Sequence, residues 1–182
     1  MKYFICSDIH GSAKYAHLLL EQYHLLCCQK LILLGDILYH GPRNPLPKDY
    51  NPKEVASLLN ETAADIIACR GNCDSEVDQM ILQFPMLSDY TLICHNGTRL
   101  FASHGHILSP EKLPPLCKGD IFLFGHTHIQ ILEENDQGIV LCNPGSPSLP
   151  KGGSAAGFAL FQDGTLSLHN LQGHITKEIK LQ

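Results

Sequence analysis

Short apolar runs alternate with amphipathic segments through the first half of the chain. Three such runs, Tyr3–Ser7, Lys30–Leu34 and Asp65–Cys69, have the length of buried strands and are each followed by a polar turn. Each turn leads into a segment that carries helix-start residues or apolar positions at helical spacing. This alternation predicts parallel strands joined by right-handed crossovers.

The helices between these strands have recognisable beginnings. From about Ser12 to His24, apolar residues recur at helical spacing. A second helix is predicted to begin after Asn51, an N-cap residue followed by Pro52 at the first helical position. A third, short helix is predicted to begin at Ser75, whose partner three residues on, Asp78, resembles a capping box.

Beyond Pro85 the pattern changes to short strands with tight turns. Leu92–Cys94 and Arg99–Ala102 flank Asn96-Gly97, a dipeptide typical of two-residue hairpins. A fully apolar strand, Ile121–Phe124, comes next. Two further hairpins are predicted, Ile129–Leu132 with Ile139–Cys142 and Phe158–Phe161 with Leu166–Leu168. We therefore predict a mainly antiparallel second half, and a single domain over residues 1–182 with two packed sheets and helices on the outside.

Composition excludes several classes of protein. A chain of 182 residues with 44% hydrophobic and 17% charged residues is typical of a globular domain with one sizeable core. No apolar run approaches the ~20 residues of a membrane span, and the N-terminal run is too short for a signal peptide. The eight cysteines lie mostly in apolar runs and include no C-x-x-C pair, so we expect reduced thiols and a cytoplasmic protein. A formal net charge of −5 without Lys/Arg clusters argues against a nucleic-acid surface.

Five of the predicted strands end in residues that can ligate a metal ion. The segments are Ser7-Asp8-Ile9-His10, Gly35-Asp36, Gly71-Asn72, His104-Gly105-His106 and Gly125-His126-Thr127-His128. Because ligands bind beyond the carboxyl ends of parallel strands, we expect these segments to meet. Side chains two apart on an extended segment point the same way, so Asp8 can act with His10, and His126 with His128.

Such a cluster suits a pair of divalent metal ions. Imidazoles and carboxylates without a cationic partner are poorly stable together, and seven ligands are too many for one tetrahedral ion. Two ions that share a carboxylate, ~3.5–4 Å apart, are a recurrent device for in-line displacement at phosphorus. Each segment alone has a simpler interpretation, as a turn, a helix cap or an ordinary histidine. Their combination in one short chain favours the metal centre.

Taken in order, the motifs D-x-H, G-D, G-N-x-D, G-H and G-H-T-H resemble those of the calcineurin-like metallophosphoesterases. The resemblance covers Asp8 to about Ser146, and the chain is similar to the short bacterial phosphodiesterases of the YfcE type. It implies an α/β fold, a four-layered αββα sandwich of two mixed sheets flanked by helices. It also implies a metal-dependent phosphodiesterase that uses in-line attack by a hydroxide bridging two divalent metals.

The resemblance further implies a role for each matching residue. Asp8, His10 and His128 would hold the first metal, Asn72, His104 and His126 the second, and Asp36 would bridge them. Asp36, Asn72 and His104 are the ligands expected to take part in catalysis. Mn²⁺ is common in the family, although Fe, Zn, Ni or Co also suit nitrogen and oxygen ligands.

Cys73 departs from the pattern of the wider family. Many members have His after the Asn of G-N-x-D, where it is taken to help protonate the leaving group. We expect Cys73 to be neither a metal ligand nor a nucleophile. Cys73 is nevertheless a candidate substrate contact, with His106 and with Arg43 and Asn44 of the proline-rich loop Tyr39–Tyr50. The alternative interpretation of that loop is a stiff surface segment or a subunit contact.

Three other functions remain open from the sequence. A phosphomonoesterase or protein phosphatase of the same superfamily would share the ligand set. A non-catalytic scaffold with the same fold would carry an incomplete set, whereas every position is filled here. A nuclease of the superfamily would add accessory domains and basic surfaces. We expect a small phosphodiester as the substrate and no membrane partner, and the chain could also form a homo-oligomer.

Overall fold

The computed structural model describes residues 1–181, which form two mixed β-sheets packed face to face. The first sheet has the order β11-β10-β9-β1-β2-β3, with β1 at Tyr3–Cys6, β2 at Lys30–Leu33, β3 at Ile66–Ala68, β9 at Gly157–Gln162, β10 at Thr165–Asn170 and β11 at Ile175–Lys180. The second has the order β4-β5-β6-β8-β7, with β4 at Tyr90–His95, β5 at Thr98–Ser103, β6 at Ile121–Leu123, β7 at Gln130–Glu134 and β8 at Val140–Pro144. The prediction of two mixed sheets with helices is confirmed.

The helices begin where the sequence predicts. They are α1 at Ala13–Leu25, α2 at Pro52–Asn60 and α3 at Glu76–Gln79, with a 3₁₀ turn at Ala63–Asp65. The side chain of Asn51 accepts a hydrogen bond from the Glu54 backbone N–H, as an N-cap residue should. The backbone N–H of Ser75 donates to Asp78 Oδ2 over 2.8 Å, completing the reciprocal cap. None of the described helices is both long and apolar enough to cross a bilayer.

The predicted strand pairing is partly right. The parallel order of β1, β2 and β3 and the hairpins β4–β5, β7–β8 and β9–β10 are confirmed. The second half is mainly antiparallel as predicted. The exception is β6, which pairs in parallel with both β5 and β8. Its wholly buried sequence fits a central parallel strand, which is covered on both faces. Strand β11 was not predicted, since most of its residues are exposed and its apolar pattern is weak.

The core consists of apolar layers on both sides of each sheet. Strand alternation sends Phe4 toward α1 and α2, whereas Ile5 packs between the sheets. Outside the second sheet, Phe122 and its neighbours are covered by Leu113 and Leu116. This outer layer is an irregular segment rather than a helix within the described residues, so the helices lie over the first sheet.

One edge of the sandwich gathers the turns that follow β1, β2, β3, β5 and β6. The Asp8 N–H donates to the Gly35 carbonyl over 3.0 Å, and the His10 N–H donates to the Asp36 carbonyl over 2.9 Å. In the second sheet, the Gly125 N–H donates to the His104 carbonyl over 2.7 Å. These backbone hydrogen bonds hold neighbouring turns together independently of their side chains.

Candidate metal centre

The structure brings together all seven side chains predicted as metal ligands. Asp8 forms one compact group with His10 and His128, and a second group with Asp36 and His104; in each, the ligand atoms lie within 4.8 Å of one another. The two remaining residues lie beside His104. Asn72 Oδ1 is 3.1 Å from His104 Nε2, and the ring centroids of His126 and His104 are 5.2 Å apart.

Three of the imidazoles are oriented by backbone carbonyls. In each, Nδ1–H donates to a main-chain oxygen, which fixes the ring orientation and directs Nε2 into the cluster. The pairs are His10 with Tyr39 over 2.8 Å, His104 with Leu34 over 2.7 Å and His128 with Leu149 over 2.7 Å. This arrangement is typical of imidazoles that bind metal through Nε2.

Each of the two central carboxylates has one oxygen held by the backbone and one directed inward. Asp8 Oδ2 accepts from the His126 N–H over 3.0 Å, and Asp36 Oδ1 accepts from the Cys73 N–H over 2.8 Å. Asp36 Oδ2 lies 3.5 Å from His104 Nε2. Asp8 Oδ1 is buried and has no hydrogen-bond partner among residues 1–181. A buried carboxylate oxygen without a donor is strongly unfavourable unless a cation satisfies it.

The inward atoms form a donor set that fits divalent metal. Asp8 Oδ1 lies 3.3 Å from His128 Nε2 and 3.6 Å from His10 Nε2, and the two nitrogens are 3.2 Å apart. Because Nδ1 on both rings is taken by a backbone carbonyl, Nε2 is the ring atom that each histidine offers to a metal. Oxygen and imidazole nitrogen ligands suit Mn, Fe, Co, Ni and Zn.

The charges of the cluster also favour a cation at its centre. Burial opposes ionisation of Asp8, yet the surrounding imidazoles, His104 first, hold the pKa of its carboxyl well below its usual range. Burial likewise opposes charge on His104, but the neighbouring Asp8 and Asp36 carboxylates raise its pKa to about 9. The pKa of His126 is lowered, first by burial and then by His104. Positive charge is therefore stabilised between the two carboxylates.

Five of the candidate ligands have left-handed backbone conformations. The φ angles are 57° for Asp8, 51° for His10, 53° for Asp36, 67° for His126 and 61° for His128. This conformation is uncommon outside glycine and costs roughly 1–2 kcal/mol per residue. Asp8 and His10 do face the same way, as expected from the sequence. The reason given for this is wrong, because neither residue lies on an extended segment. Tight turns, not strand alternation, direct both side chains inward.

Two motif glycines allow the turns to approach this closely. A Cβ atom on Gly71 would lie 2.1 Å from Asp36 Oδ1. A Cβ atom on Gly125 would lie 1.9 Å from Ser7 Oγ and 2.7 Å from Asp8 Oδ2. Both contacts are far inside van der Waals distance, so glycine is required there by space.

A buried carboxylate, Asp74, supports the site and was not assigned a role from the sequence. It accepts hydrogen bonds from the backbone N–H groups of Asp36, Ile37 and Gly71, over 2.8, 2.9 and 2.7 Å. Burial and the nearby Asp36 charge raise its pKa to about 6, against the effect of these donors. Asp74 thus joins the turn after β2 to the turn after β3. The only sequence signal for it is the last position of G-N-x-D.

The segment Asn143–Ser146 supports two of the ligand-bearing turns through hydrogen bonds. Asn143 Nδ2 donates to the Gly125 carbonyl over 2.8 Å, and Ser146 Oγ donates to the Asp8 carbonyl over 2.8 Å. All of these groups are buried. The N-P-G-S motif therefore holds the G-H-T-H and D-x-H turns in position.

A cavity of about 990 Å³ opens above the metal-ligand cluster. Three of the four predicted substrate contacts, Arg43, Asn44 and Cys73, line it, and so does Lys151, which the sequence did not single out. The fourth, His106, is exposed and does not line the cavity, although its ring centroid is 5.3 Å from that of His104. The sequence does not distinguish His106 from the residues that line the cavity, because its place depends on how the turn after β5 packs.

Cys73 lies at the floor of this cavity, under the loop Tyr39–Tyr50. A Cβ atom on Gly41 would approach its Sγ to 2.8 Å, so the thiol packs directly against the loop. Burial, followed by the charge of Asp36, raises the pKa of Cys73 to about 12. Its Sγ forms a third close group with His10 and Asp36, so it is near enough to ligate a metal. The thiolate is the form that binds metals and attacks substrates, and this environment disfavours it.

Comparison with known proteins places the chain among phosphoesterases. Residues 1–164 match the sequence profile described as the calcineurin-like phosphoesterase superfamily domain. Phosphodiesterase YfcE from Escherichia coli K12 is 46% identical over 168 residues, which are 92% of this chain and 91% of that protein. A solved structure of YfcE, described as a phosphoesterase from E. coli, has 43% identity and a TM-score of 0.97 and covers each chain fully. Vps29 from Entamoeba histolytica in complex with Zn²⁺ shares the fold, with 18% identity, a TM-score of 0.64 and 98% of each chain covered.

Proposed function

The chain belongs to the calcineurin-like phosphoesterase superfamily, and we propose that it hydrolyses small phosphodiesters with two divalent metal ions bound at the centre. The resemblance inferred from the sequence motifs is confirmed by the family match and by the phosphodiesterase relative. The observation that carries the metal proposal is the buried Asp8 Oδ1, which has no hydrogen-bond partner among residues 1–181 and faces the Nε2 atoms of His10 and His128.

We assign the first metal to Asp8, His10 and His128 and the second to Asn72, His104 and His126, with Asp36 as the bridge. The position of Asp36 Oδ2 supports the bridge, since it lies 3.7 Å from His10 Nε2 on one side and 3.5 Å from His104 Nε2 on the other. When bound, the ions supply Lewis acidity toward the phosphate and an activated water as the nucleophile. We propose Mn²⁺ as the physiological metal, although the ligand set also suits Fe, Zn, Ni and Co.

Residues of the chain itself orient the reacting phosphate and enclose it. Carbonyls behind the imidazoles hold their Nε2 atoms in place, so that little reorganisation is needed during the reaction. Asn72 lines the cavity where the phosphate would sit, and its Oδ1 is 3.1 Å from Nε2 of the buried His104. Arg43 and Asn44 project from the loop above and are suited to bind non-bridging phosphate oxygens.

The alternative functions have less support than phosphodiester hydrolysis. A scaffold does not need seven filled ligand positions, and the relative with high identity is a phosphodiesterase. A phosphomonoesterase would use the same metal centre, so only the relative rates on diesters and monoesters distinguish it from a phosphodiesterase. We further propose a cytoplasmic location, supported by eight free cysteines, of which three are fully buried.

Paired model substrates and metal analysis test this function. The protein should contain close to two divalent ions per chain after purification with Mn²⁺. It should hydrolyse bis(p-nitrophenyl) phosphate with kcat/KM at least ~10-fold above that for p-nitrophenyl phosphate. Both substrates release p-nitrophenol, so the ratio compares a diester with a monoester at a constant leaving group. A ratio below one would establish the monoesterase, and no metal with no turnover would favour the scaffold.

Cys73 leads to a second prediction, on the leaving group. A thiol donates hydrogen bonds weakly, so the leaving oxygen must depart with much of its charge. Because general acid catalysis is worth ~10²–10⁴-fold, kcat should fall by a comparable factor from nitrophenyl to alkyl leaving groups. Rates for a series of aryl and alkyl phosphodiesters measure this, and Cys73→Ala should show the same slope. A flat dependence would reveal another proton donor, with His106 and His40 as the first candidates.

A further inference from the structure

Lys151 stands at the rim of the cavity and is tied to the metal centre through its backbone. Its N–H donates to the carbonyl of His128 over 3.0 Å. Its side chain reaches across the cavity, where Nζ donates to Asn44 Oδ1 over 3.3 Å. Lys151 therefore connects the segment that follows β8 with the loop Tyr39–Tyr50, from which Arg43 also lines the cavity.

The two cations at this rim lack carboxylate partners. Among residues 1–181, neither Arg43 nor Lys151 has a carboxylate oxygen within 4.0 Å, whereas Arg70 and Arg99 are both paired with aspartates. The partner of Lys151 is a neutral amide oxygen at a long hydrogen-bond distance. An anion could replace that amide with a net gain, because hydrogen bonds between charged groups are about twice as strong as neutral ones.

The cavity is larger than one phosphate group requires. Its volume of about 990 Å³ extends from Asp36 at the floor to Lys151 at the rim. The carboxylates that line it, Asp36, Asp74 and Asp78, belong to the floor or to the end that carries α3. A second negative group on a substrate would therefore be steered away from that end and toward the two cations.

We propose that Lys151 and Arg43 form an anion subsite for the part of the substrate that is esterified to the reacting phosphate. The preferred substrates are then phosphodiesters whose second substituent carries a carboxylate or a further phosphate. This inference rests on the proposed phosphodiesterase function and assigns to Lys151 a role in positioning and specificity.

Three p-nitrophenyl phosphodiesters with one leaving group and different second substituents test the subsite. The substituents are choline, which is cationic, phenyl, which is neutral, and carboxyethyl, which is anionic. In Lys151→Met, kcat/KM for the carboxyethyl diester should fall ~10-fold, mainly through a higher KM, and change less than about twofold for the phenyl diester. Activity on the choline diester should be unchanged or higher. Lys151→Arg should retain the preference, because it keeps the charge.

Matched controls separate this proposal from the proposed function and from folding. Lys177→Met removes an exposed lysine on β11, far from the cavity lining, and should leave all three rates and the Tm unchanged. Arg43→Met should lower kcat/KM for all three diesters, because Arg43 also faces the reacting phosphate, and should lower it most for the carboxyethyl diester. If Lys151→Met changes the three diesters equally, the subsite is wrong although the phosphodiesterase stands. If the wild-type protein hydrolyses none of the three with Mn²⁺ present, the proposed function itself fails.

Discussion

Asp36→Asn should lower kcat for phosphodiesters on the order of 10³-fold or more. The amide keeps the shape of the side chain, the hydrogen bond from the Cys73 N–H and tolerance of the left-handed φ of 53°. It loses the negative charge between His10 and His104 and places an NH₂ group where a metal would bind. Metal content per chain should fall in parallel, measured by elemental analysis after dialysis.

A surface aspartate with the same backbone conformation provides the control. Asp163 has a φ of 51° in the turn between β9 and β10 and is exposed. Asp163→Asn should therefore leave kcat, metal content and Tm unchanged. Retained turnover in Asp36→Asn, with wild-type metal content, would remove the bridging assignment.

Asp74→Ala should destabilise the fold by about 3–5 kcal/mol, which corresponds to a Tm lower by roughly 10 °C in a chain of this size. The substitution leaves three backbone N–H groups buried without an acceptor, those of Asp36, Ile37 and Gly71. Each unsatisfied buried donor costs about 1–3 kcal/mol. Because two of the three belong to the G-D and G-N motifs, phosphodiesterase activity at 25 °C should also fall. Thermal unfolding with and without Mn²⁺ and assays of the folded fraction measure both effects.

Asp74→Asn and Asp136→Ala define what the carboxylate contributes. Asn has one acceptor oxygen where Asp has two, so its destabilisation should be intermediate. Asp136 lies exposed in the turn between β7 and β8, and Asp136→Ala should change the Tm by less than about 1 °C. A Tm of Asp74→Ala within about 2 °C of the wild type would show that water replaces the carboxylate, and that Asp74 does not hold the two turns together.

The sequence predicted what depends on short-range rules. Apolar runs followed by polar turns located β1, β2 and β3, and N-cap residues such as Asn51 located the start of α2. The ligand positions could be found because each turn follows a strand, and the carboxyl ends of neighbouring parallel strands meet. Parallel pairing of β6 could not be read locally, since an apolar run of that length fits either orientation.

Other features depend on tertiary contacts that no sequence spacing encodes. Asp74 is defined by donors from two different turns, and Lys151 reaches Asn44 across 107 positions of chain. His106 has the same motif context as His104 but lies outside the cavity lining, beside the rings of His104 and His126. These distinctions arise from how the loops pack over the sheet edge, which composition and periodicity do not constrain.

The left-handed residues of the metal centre bear on how such a chain could change over generations. Selection for thermal robustness alone would favour glycine at Asp8, His10, Asp36, His126 and His128, since glycine adopts these dihedrals freely. Glycine at any of them would relieve backbone strain but would remove a metal-binding side chain. The metal centre is therefore built at a cost in backbone free energy, which its five left-handed ligands carry together.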